Sequence, residues 1–353
     1  MTNQWTAALA GQTLGGYKLD RWLGEGAFGI VFEGTNEATG SRVAVKVLTP
    51  NNDLEATTDF QNEGVLLNQL NPCSGTLNFI DGGTGQIEVV AAGSITIPLD
   101  VRYHVLTLAS GSLDELILDP ASRARLEWVE KLRLWRGMIK SLMQMHSHGV
   151  AHRDLKCSNC LLLVSKNETT VRFGDLGRSK DMNVPPVRPV VEYVVGRGDL
   201  RFAPPEALFW QGGHAREDLL AADYYGLGSL LVELTTGQPI TALAIGDFRM
   251  AFEEGRADFQ LDRHRDLSAL RLKYRNVIAS VVAELPKSVQ QDATAVLTSL
   301  CQPEPSERLA KAPFSRDRTS RDKLAWILRR ADIMIHRLEI EIRDEHRRAR
   351  KSA

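Results

Sequence analysis

Short β-branched runs separated by turn residues characterise the chain between residues 17 and 108. The runs lie at 29–33, 42–48 and 103–108, and turn residues occur at 39–41 and 81–83. Runs of this length and composition predict β-strands. One longer segment, 54–70, has Leu66, Leu67 and Leu70 on one face of a helical projection and therefore predicts a helix.

The pattern becomes helical from residue 113 onward. In segment 127–146, apolar residues recur at spacings of three and four over about five turns. Further helices are predicted at 223–235 and 292–301. These elements indicate an α+β protein with a small β-rich part followed by a larger, mainly helical part. Residues 1–16 are polar and contain glycine, so a loose leader is expected there.

Composition narrows the range of functions. The 353 residues are 43% hydrophobic and carry a formal net charge of −1, which gives no indication of a nucleic-acid partner. No apolar run approaches the roughly 20 residues needed to span a bilayer. The first sixteen residues lack the basic start and long apolar stretch of a signal peptide. Four sparse cysteines favour a reducing, cytoplasmic location.

A glycine-rich segment carries the first chemical signal. Residues 23–31 read LGEGAFGIV, with glycines at 24, 26 and 29. Glycines allow a backbone to fold closely over phosphate oxygens and to direct N–H groups at them. The same spacing occurs in dinucleotide-binding folds, where the loop opens a helix. Here β-branched residues follow, so a hairpin between strands is predicted instead.

Lys46 lies in a strand with apolar neighbours, in the sequence VAVK. An unpaired buried ammonium group is unfavourable, so this lysine needs an anionic partner. Glu63, on the predicted helix 54–70, is the candidate. The alternative is a lysine exposed at the end of a strand.

Four polar residues carry the kinds of side chain that phosphoryl transfer requires. Asp154, Lys156 and Asn159 occur in the sequence HRDLKCSN, and Asp175 follows in DLG. The reaction requires a carboxylate near the attacking hydroxyl, a cation on the transferred phosphate and oxygen ligands for Mg²⁺. All of these groups are present in the two motifs.

Together these motifs resemble those of the eukaryotic-type protein kinase superfamily. The glycine-rich loop, VAVK, HRDLKCSN, DLG and APPE follow one another in the family's order between residues 17 and 309. The resemblance implies a bilobal fold, with an N-lobe at 17–108 containing helix C and a helical C-lobe at 109–309. It also implies that Asp223 anchors the catalytic loop and that Arg308 pairs with Glu206.

The resemblance assigns roles to individual residues. Asp154 would be the catalytic base and Lys156 would contact the transferred phosphate, while Asn159 and Asp175 would hold Mg²⁺. Lys46, held by Glu63, would grip the phosphates of ATP. The residues implied for the nucleotide site, with Leu106 as gatekeeper, are Leu23, Gly24, Glu25, Gly26, Ala27, Phe28, Gly29, Val31, Ala44, Lys46, Thr107, Ala109 and Leu161.

The function that the resemblance implies is ATP- and Mg²⁺-dependent phosphorylation of serine and threonine in protein substrates, with a role in signalling. Lys156, two residues after Asp154, is the serine/threonine pattern of the family. Two alternatives remain: a catalytically inactive pseudokinase scaffold that binds ATP, and a small-molecule kinase. A pseudokinase would normally lack Lys46, Asp154 or Asp175, and small-molecule kinases usually lack the APE element.

The segment between Asp175 and Glu206 departs from the family. It contains no threonine, one serine, Ser179, and one tyrosine, Tyr193. Many kinases order this segment through a phosphate that pairs with the arginine of HRD, here Arg153. One hypothesis is that Glu192 replaces the phosphate and makes the enzyme active without loop phosphorylation. The alternative is modification of Ser179 or Tyr193.

Other departures lie nearby. Asp199 occupies the position of a threonine that bridges the catalytic Asp and Lys, and it could pair with Lys156 instead. Leu176 replaces the usual Phe after Asp175 with similar apolar volume. Cys157 and Cys160 have a C-x-x-C spacing, for which redox control is one reading and small buried packing residues are the other.

An amphipathic helix is predicted over residues 319–353. Its apolar residues follow alternating spacings of four and three at Leu324, Leu328, Ala331, Ile335, Leu338 and Ile342. The helix could pack back on the large lobe or form a homodimer. It ends in a basic run at 347–351, which suits the negative end of the helix dipole.

Overall fold

The computed structural model describes residues 4–26, 29–49, 54–91, 95–166, 168–186, 188–196, 198–310 and 323–352. The chain forms two compact units. Unit 1 comprises Met1–Ser110 and Gly174–Ser179, and unit 2 comprises Gly111–Phe173 and Lys180–Ala353. The short segment Gly174–Ser179 groups with unit 1, and the lobe boundaries 17–108 and 109–309 stay predictions.

Unit 1 is built on a six-stranded antiparallel sheet with the strand order β1-β2-β3-β4-β6-β5. Its elements are α1 (Gln4–Leu9), β1 (Thr13–Leu14), β2 (Tyr17–Gly26), β3 (Gly29–Asn36), β4 (Arg42–Val47), α2 (Leu54–Gln69), β5 (Phe79–Ala91) and β6 (Ile95–Leu106). The predicted strands and the predicted helix are therefore confirmed. The turn predicted at 81–83 is wrong, because these residues lie within β5, next to an irregularity in its pairing with β6.

The segment expected to be a loose leader contains α1 and β1 within its described residues, 4–16. Leu9 of α1 and Leu14 of β1 are fully buried in the apolar cluster of the sheet. The side-chain amide of Gln12 also pairs with the main chain of Glu88 in β5, donating to its carbonyl at 2.7 Å and accepting from its N–H at 2.8 Å. Two buried leucines and one amide thus contribute to holding a segment whose overall composition is polar.

Unit 2 is mainly helical, in agreement with the predicted α+β class. Its strands are β7 (Gly111–Ser112), β8 (Val150–Ala151), β9 (Cys160–Val164), β10 (Thr169–Phe173) and β11 (Lys180–Asp181). Its helices are α3 (Leu113–Ile117), α4 (Pro120–Arg125), α5 (Trp128–Ser147), α6 (Val191–Val194), α7 (Pro205–Leu208), α8 (Arg216–Thr236), α9 (Ile240–Ile245), α10 (Phe248–Gln260), α11 (Arg271–Ala283), α12 (Gln290–Leu300) and α13 (Leu324–Ser352).

Helix α8 lies in the core of unit 2, since an unbroken run of its residues from Asp223 to Thr235 is buried. It packs against α5, where the indole N–H of Trp135 donates to the Leu227 carbonyl at 2.9 Å. Both helices contact the short strand β8, and α5 also contacts β10. Strands β8 and β9 flank the segment 152–159. Among the described residues, no helix combines the length and apolar character needed to cross a membrane.

The C-terminal helix α13 packs back on unit 2, against α5. Its buried side chains are Leu324, Ile327, Ala331, Met334, Ile335 and Leu338. Four of these belong to the predicted apolar seam, while Leu328 and Ile342 are half-buried. Residues 319–322 of the predicted helix lie outside the described residues. The seam is thus largely covered within the chain, as expected for a helix packed back on the large lobe. The homodimer stays a prediction.

Candidate active site

Lys46 is the centre of a buried ion-pair cluster in unit 1. Its Nζ lies 2.6 Å from Glu63 Oε2 on α2 and 3.2 Å from Asp175 Oδ1. Burial by itself lowers the pKa of Lys46, but the negative charges of Asp175 and Glu63 outweigh it and raise the pKa. The lysine therefore stays protonated, and the predicted Lys46–Glu63 pair is present.

Asp175 begins a tight turn in the same unit. Its backbone is left-handed, with φ 54°, and a 3₁₀ turn over Leu176–Arg178 follows. Leu176 is fully buried, so it fills an apolar position as its substitution for Phe predicts. Asn62 of α2, which the sequence analysis did not identify, donates hydrogen bonds to main-chain carbonyls of this turn.

The glycine-rich segment is a hairpin, as predicted, because β2 and β3 pair up to Gly26 and Gly29. A Cβ at Gly29 would collide with the main-chain carbonyl of Val47. Gly24 and Gly26 differ from Gly29 in this respect. A Cβ added at either position would have no atom of the described residues closer than 3.9 Å, apart from its own chain neighbours. There is therefore open space beside both glycines of the hairpin. Ala27 and Phe28 lie outside the described residues, and Glu25 belongs to the exposed end of β2.

The residues predicted to contact adenine are distributed over both units. In unit 1, Ala44 and Leu106 are buried and Val31, Thr107 and Ala109 are half-buried, while Leu23 is exposed. In unit 2, Leu161 is half-buried on β9. Their roles toward a nucleotide stay predictions.

The catalytic-loop residues form a second cluster, in unit 2. Asp154 Oδ2 lies 3.1 Å from Lys156 Nζ. Asn159 donates through Nδ2 to the Asp154 carbonyl at 2.7 Å and to Asp154 Oδ2 at 3.2 Å. These bonds commit the amide nitrogen of Asn159, so its Oδ1 is the atom suited to bind a cation. Asp154, Lys156 and Asn159 are thus brought together as predicted.

Asp223 of α8 holds the start of this loop. Its carboxylate accepts the main-chain N–H of His152 at 2.8 Å and that of Arg153 at 2.7 Å, and it lies 2.9 Å from His146 Nε2. Arg153 adopts a left-handed backbone, with φ 66°. Hydrogen bonds to a buried carboxylate can hold such a conformation, and the anchoring role predicted for Asp223 agrees with them.

The Glu206–Arg308 pair is also present and buried in unit 2. The two guanidinium nitrogens of Arg308 donate to the two carboxylate oxygens of Glu206 at 2.7 and 2.6 Å. This bidentate pair connects α7, at the end of the segment that starts with Asp175, to the turn after α12.

Asp199 pairs with Arg201 and not with Lys156, which was the alternative that the sequence allows. Arg201 Nε lies 2.9 Å and Nη2 2.5 Å from Asp199 Oδ2. Burial raises the pKa of Asp199, but hydrogen bonds from Arg201 and the charge of Lys156 lower it overall. The side chain is therefore an anion, neutralised mainly by Arg201.

Arg153 and Glu192, the two residues of the predicted pair, each have another neighbour in the structure. The Arg153 guanidinium lies 4.6 Å from the ring centroid of Tyr193, a cation–π contact. Glu192 accepts a hydrogen bond from Arg188 at 3.3 Å. A direct Arg153–Glu192 pair stays a prediction.

Cys157 and Cys160 are fully buried thiols without a disulfide. Burial and the neighbouring Glu233 raise the pKa of both thiols well above the usual value. High pKa and burial make them poor nucleophiles, so packing is their role and redox control is not supported. Glu233 accepts the main-chain N–H of Cys157 at 3.1 Å, and burial raises its pKa to about 7.

Each of the two units contains residues whose chemistry suits ATP and Mg²⁺. Mg²⁺ prefers one or two carboxylate or amide oxygens together with phosphate oxygens. Asp175 and Asn159 offer such oxygens, and Lys46 and the open hairpin glycines offer a cation and space for phosphates. Among the described residues, no cluster of His, Cys, Asp and Glu forms a metal site of its own.

Comparison with known proteins places these clusters in a family. Residues 17–316 match the protein kinase domain family. The chain therefore belongs to the eukaryotic-type protein kinase superfamily.

Several relatives are similar to roughly two thirds of the chain. A probable serine/threonine-protein kinase of Dictyostelium discoideum is 29% identical over 232 residues, which cover 64% of this chain and 40% of the relative. A cysteine-rich receptor-like protein kinase of Arabidopsis thaliana is 28% identical, with coverage of 63% and 31%. An Arabidopsis G-type lectin S-receptor-like serine/threonine-protein kinase is 26% identical, with coverage of 65% and 26%. The matched region thus spans less than half of these relatives.

Proposed function

We propose that this protein is a serine/threonine protein kinase that transfers the γ-phosphate of ATP with the help of Mg²⁺. The observation that carries the proposal is the catalytic-loop cluster, in which Asp154, Lys156 and Asn159 lie within hydrogen-bond or ion-pair distance of one another. Asp154 would accept or orient the substrate hydroxyl proton, and Lys156 would neutralise charge on the transferred phosphate.

The unit 1 cluster supports nucleotide binding. Lys46 is buried and held between two carboxylates, so its ammonium group is fixed in place before any ligand binds. A preorganised cation lowers the cost of ordering when phosphates bind. When bound, Mg²⁺ would supply charge neutralisation on the phosphates, and Asp175 and Asn159 would hold it.

Serine and threonine are the proposed acceptors. Lys156 matches the serine/threonine pattern, and two of the relatives described above are named serine/threonine kinases. The Asp199–Arg201 pair replaces the hydroxyl bridge usual at this position. Because Arg201 neutralises Asp199, this pair limits the repulsion between Asp199 and the Asp154 carboxylate.

The same enzyme is proposed to be active without phosphorylation of the segment after Asp175. Both hydroxyl-bearing residues there, Ser179 and Tyr193, are buried and poorly accessible to another kinase. The segment is held by Lys180 Nζ, which donates to the carbonyls of Asp181 at 2.5 Å, Val184 at 2.6 Å and Pro185 at 3.0 Å. Arg153 contacts Tyr193. A cytoplasmic location and a role in signalling stay predictions.

The test is transfer of labelled phosphate from ATP to a generic protein substrate, with and without Mg²⁺, followed by phosphoamino-acid analysis. We expect Mg²⁺-dependent label on serine and threonine, and equal activity before and after treatment with a phosphatase. Label on tyrosine would contradict the acceptor assignment, and activity lost with the phosphatase would contradict the built-in activation. Nucleotide binding without any transfer would identify the pseudokinase alternative.

A further inference from the structure

The turn that presents Asp175 needs attachments to keep its shape. Asp175 is a non-glycine residue with φ 54°, a conformation that disfavours side chains by crowding Cβ against the backbone. The 3₁₀ turn Leu176–Arg178 follows directly. In unit 1, two consecutive residues of α2 hold this turn.

Asn62 is the first of these residues. Its Nδ2 donates to the carbonyl of Gly177 at 3.1 Å and to the carbonyl of Ser179 at 2.9 Å. An amide nitrogen with two donors matches two carbonyl acceptors on one turn, so each of its N–H groups is satisfied. A carboxylate of the same shape has no donor and would repel both carbonyls.

Glu63 is the second residue. Its Oε2 accepts a hydrogen bond from Lys46 Nζ at 2.6 Å. Helix α2 is therefore connected to this turn at Gly177 and Ser179 through Asn62, and to Asp175 through the Glu63–Lys46 pair. The Lys46–Asp175 contact at 3.2 Å completes the connection.

We propose that Asn62 is a positioning residue that fixes the Asp175 turn, so that α2 holds the Lys46 ion pair and the predicted Mg²⁺ ligand as one unit. The part that concerns Mg²⁺ rests on the proposed function, whereas the clamp on the turn rests on the hydrogen bonds alone.

The test uses the full chain and three variants. Asn62→Asp keeps the size of the side chain but removes both donors, and Asn62→Ala removes them without adding charge. Asn68→Asp is the matched control, because Asn68 is exposed on the same helix and the substitution adds the same charge.

The first readout is amide hydrogen exchange in the Asp175 turn. We expect both Asn62 variants to exchange about tenfold faster in the peptide covering 174–179, which corresponds to about 1.4 kcal/mol, with the Asn68 control unchanged. Exchange within twofold of wild type in both Asn62 variants, or an equal increase in the control, would overturn the proposal.

The second readout is the Mg²⁺ concentration that half-saturates binding of a non-hydrolysable ATP analogue. We expect this concentration to rise at least about fivefold in both Asn62 variants, while binding of the analogue in EDTA changes less than twofold. If the Asn62 variants exchange faster but the wild-type protein transfers no phosphate, the proposed function is refuted and the role of Asn62 in holding the turn is kept. Unchanged exchange and Mg²⁺ dependence in an active enzyme would refute the clamp alone.

Discussion

Loss of the Arg308 side chain is predicted to destabilise unit 2 strongly. Arg308 is 2% exposed and donates to both oxygens of Glu206, to the carbonyl of Ala221 at 2.9 Å and to that of Gln302 at 2.8 Å. Its guanidinium also lies 4.8 Å from the ring of Tyr225. Arg308→Ala would leave a buried carboxylate and buried carbonyls without these donors.

The expected magnitude follows from the burial of the pair. Removing one partner of a buried, hydrogen-bonded ion pair costs about 3–5 kcal/mol, and Arg308→Lys should recover only part of it because an ammonium cannot form the bidentate pair. The assay is urea denaturation together with thermal unfolding, in which a loss of this size lowers Tm by about 10 °C.

A surface pair provides the matched control for this experiment. Arg271 pairs with Glu307, and both side chains are largely exposed, at 45% and 41%. Exposed pairs contribute less than about 1 kcal/mol, so Arg271→Ala should cost little. A result in which Arg308→Ala costs no more than Arg271→Ala would refute the reasoning.

Three further predictions concern other buried groups. Burial raises the pKa of Glu233 from 4.5 to about 7, so between these two pH values the folded protein keeps a proton that the unfolded chain has lost. The free energy of unfolding should therefore fall by on the order of 3 kcal/mol as the pH rises through that window. The non-ionisable variant Glu233→Gln should show a flatter pH profile in urea denaturation at pH 5 to 8. Leu9→Ala should destabilise unit 1 by about 2–5 kcal/mol in the same assay, because Leu9 is fully buried in the sheet cluster. Asp292→Ala should speed tryptic cleavage within α13, because the buried Asp292 carboxylate pairs with Arg330 at 2.5 Å and with Arg337.

Each of these predictions has a contradicting result. A pH slope that is the same in Glu233→Gln and wild type would assign the dependence to another group. A cost below about 0.5 kcal/mol for Leu9→Ala would show that α1 does not stabilise the sheet. Equal tryptic cleavage rates for Asp292→Ala and wild type would show that these ion pairs do not hold α13.

The sequence predicted the clusters whose chemistry depends on fixed spacing. Lys46 and Glu63 were paired because a buried ammonium needs an anion, and the geometry agrees. Asp223 and Arg308 were assigned from motif order, and both make the expected contacts. In these cases a buried charged side chain needs a partner of opposite charge or a hydrogen-bond partner, and few residues in the motifs can provide one.

The sequence did not predict contacts that depend on tertiary geometry alone. Asn62 gives no pattern signal, since an amide on a helix reads as an ordinary polar residue until the Asp175 turn is brought against it. The three carbonyls around Lys180 are main-chain groups and are invisible in a residue pattern. The sequence allows Asp199 to pair with Lys156, but in the structure Asp199 pairs with Arg201, two residues along the chain.

The central claim, that the catalytic-loop cluster transfers phosphate, is tested most directly by comparing wild type with Asp154→Asn in ATP-dependent labelling of a generic protein substrate. General-base catalysis contributes about 10²–10⁴-fold, so we expect a loss of at least about 100-fold, with Asp344→Asn on the exposed part of α13 as an unaffected control. Equal rates for wild type and Asp154→Asn would contradict the account.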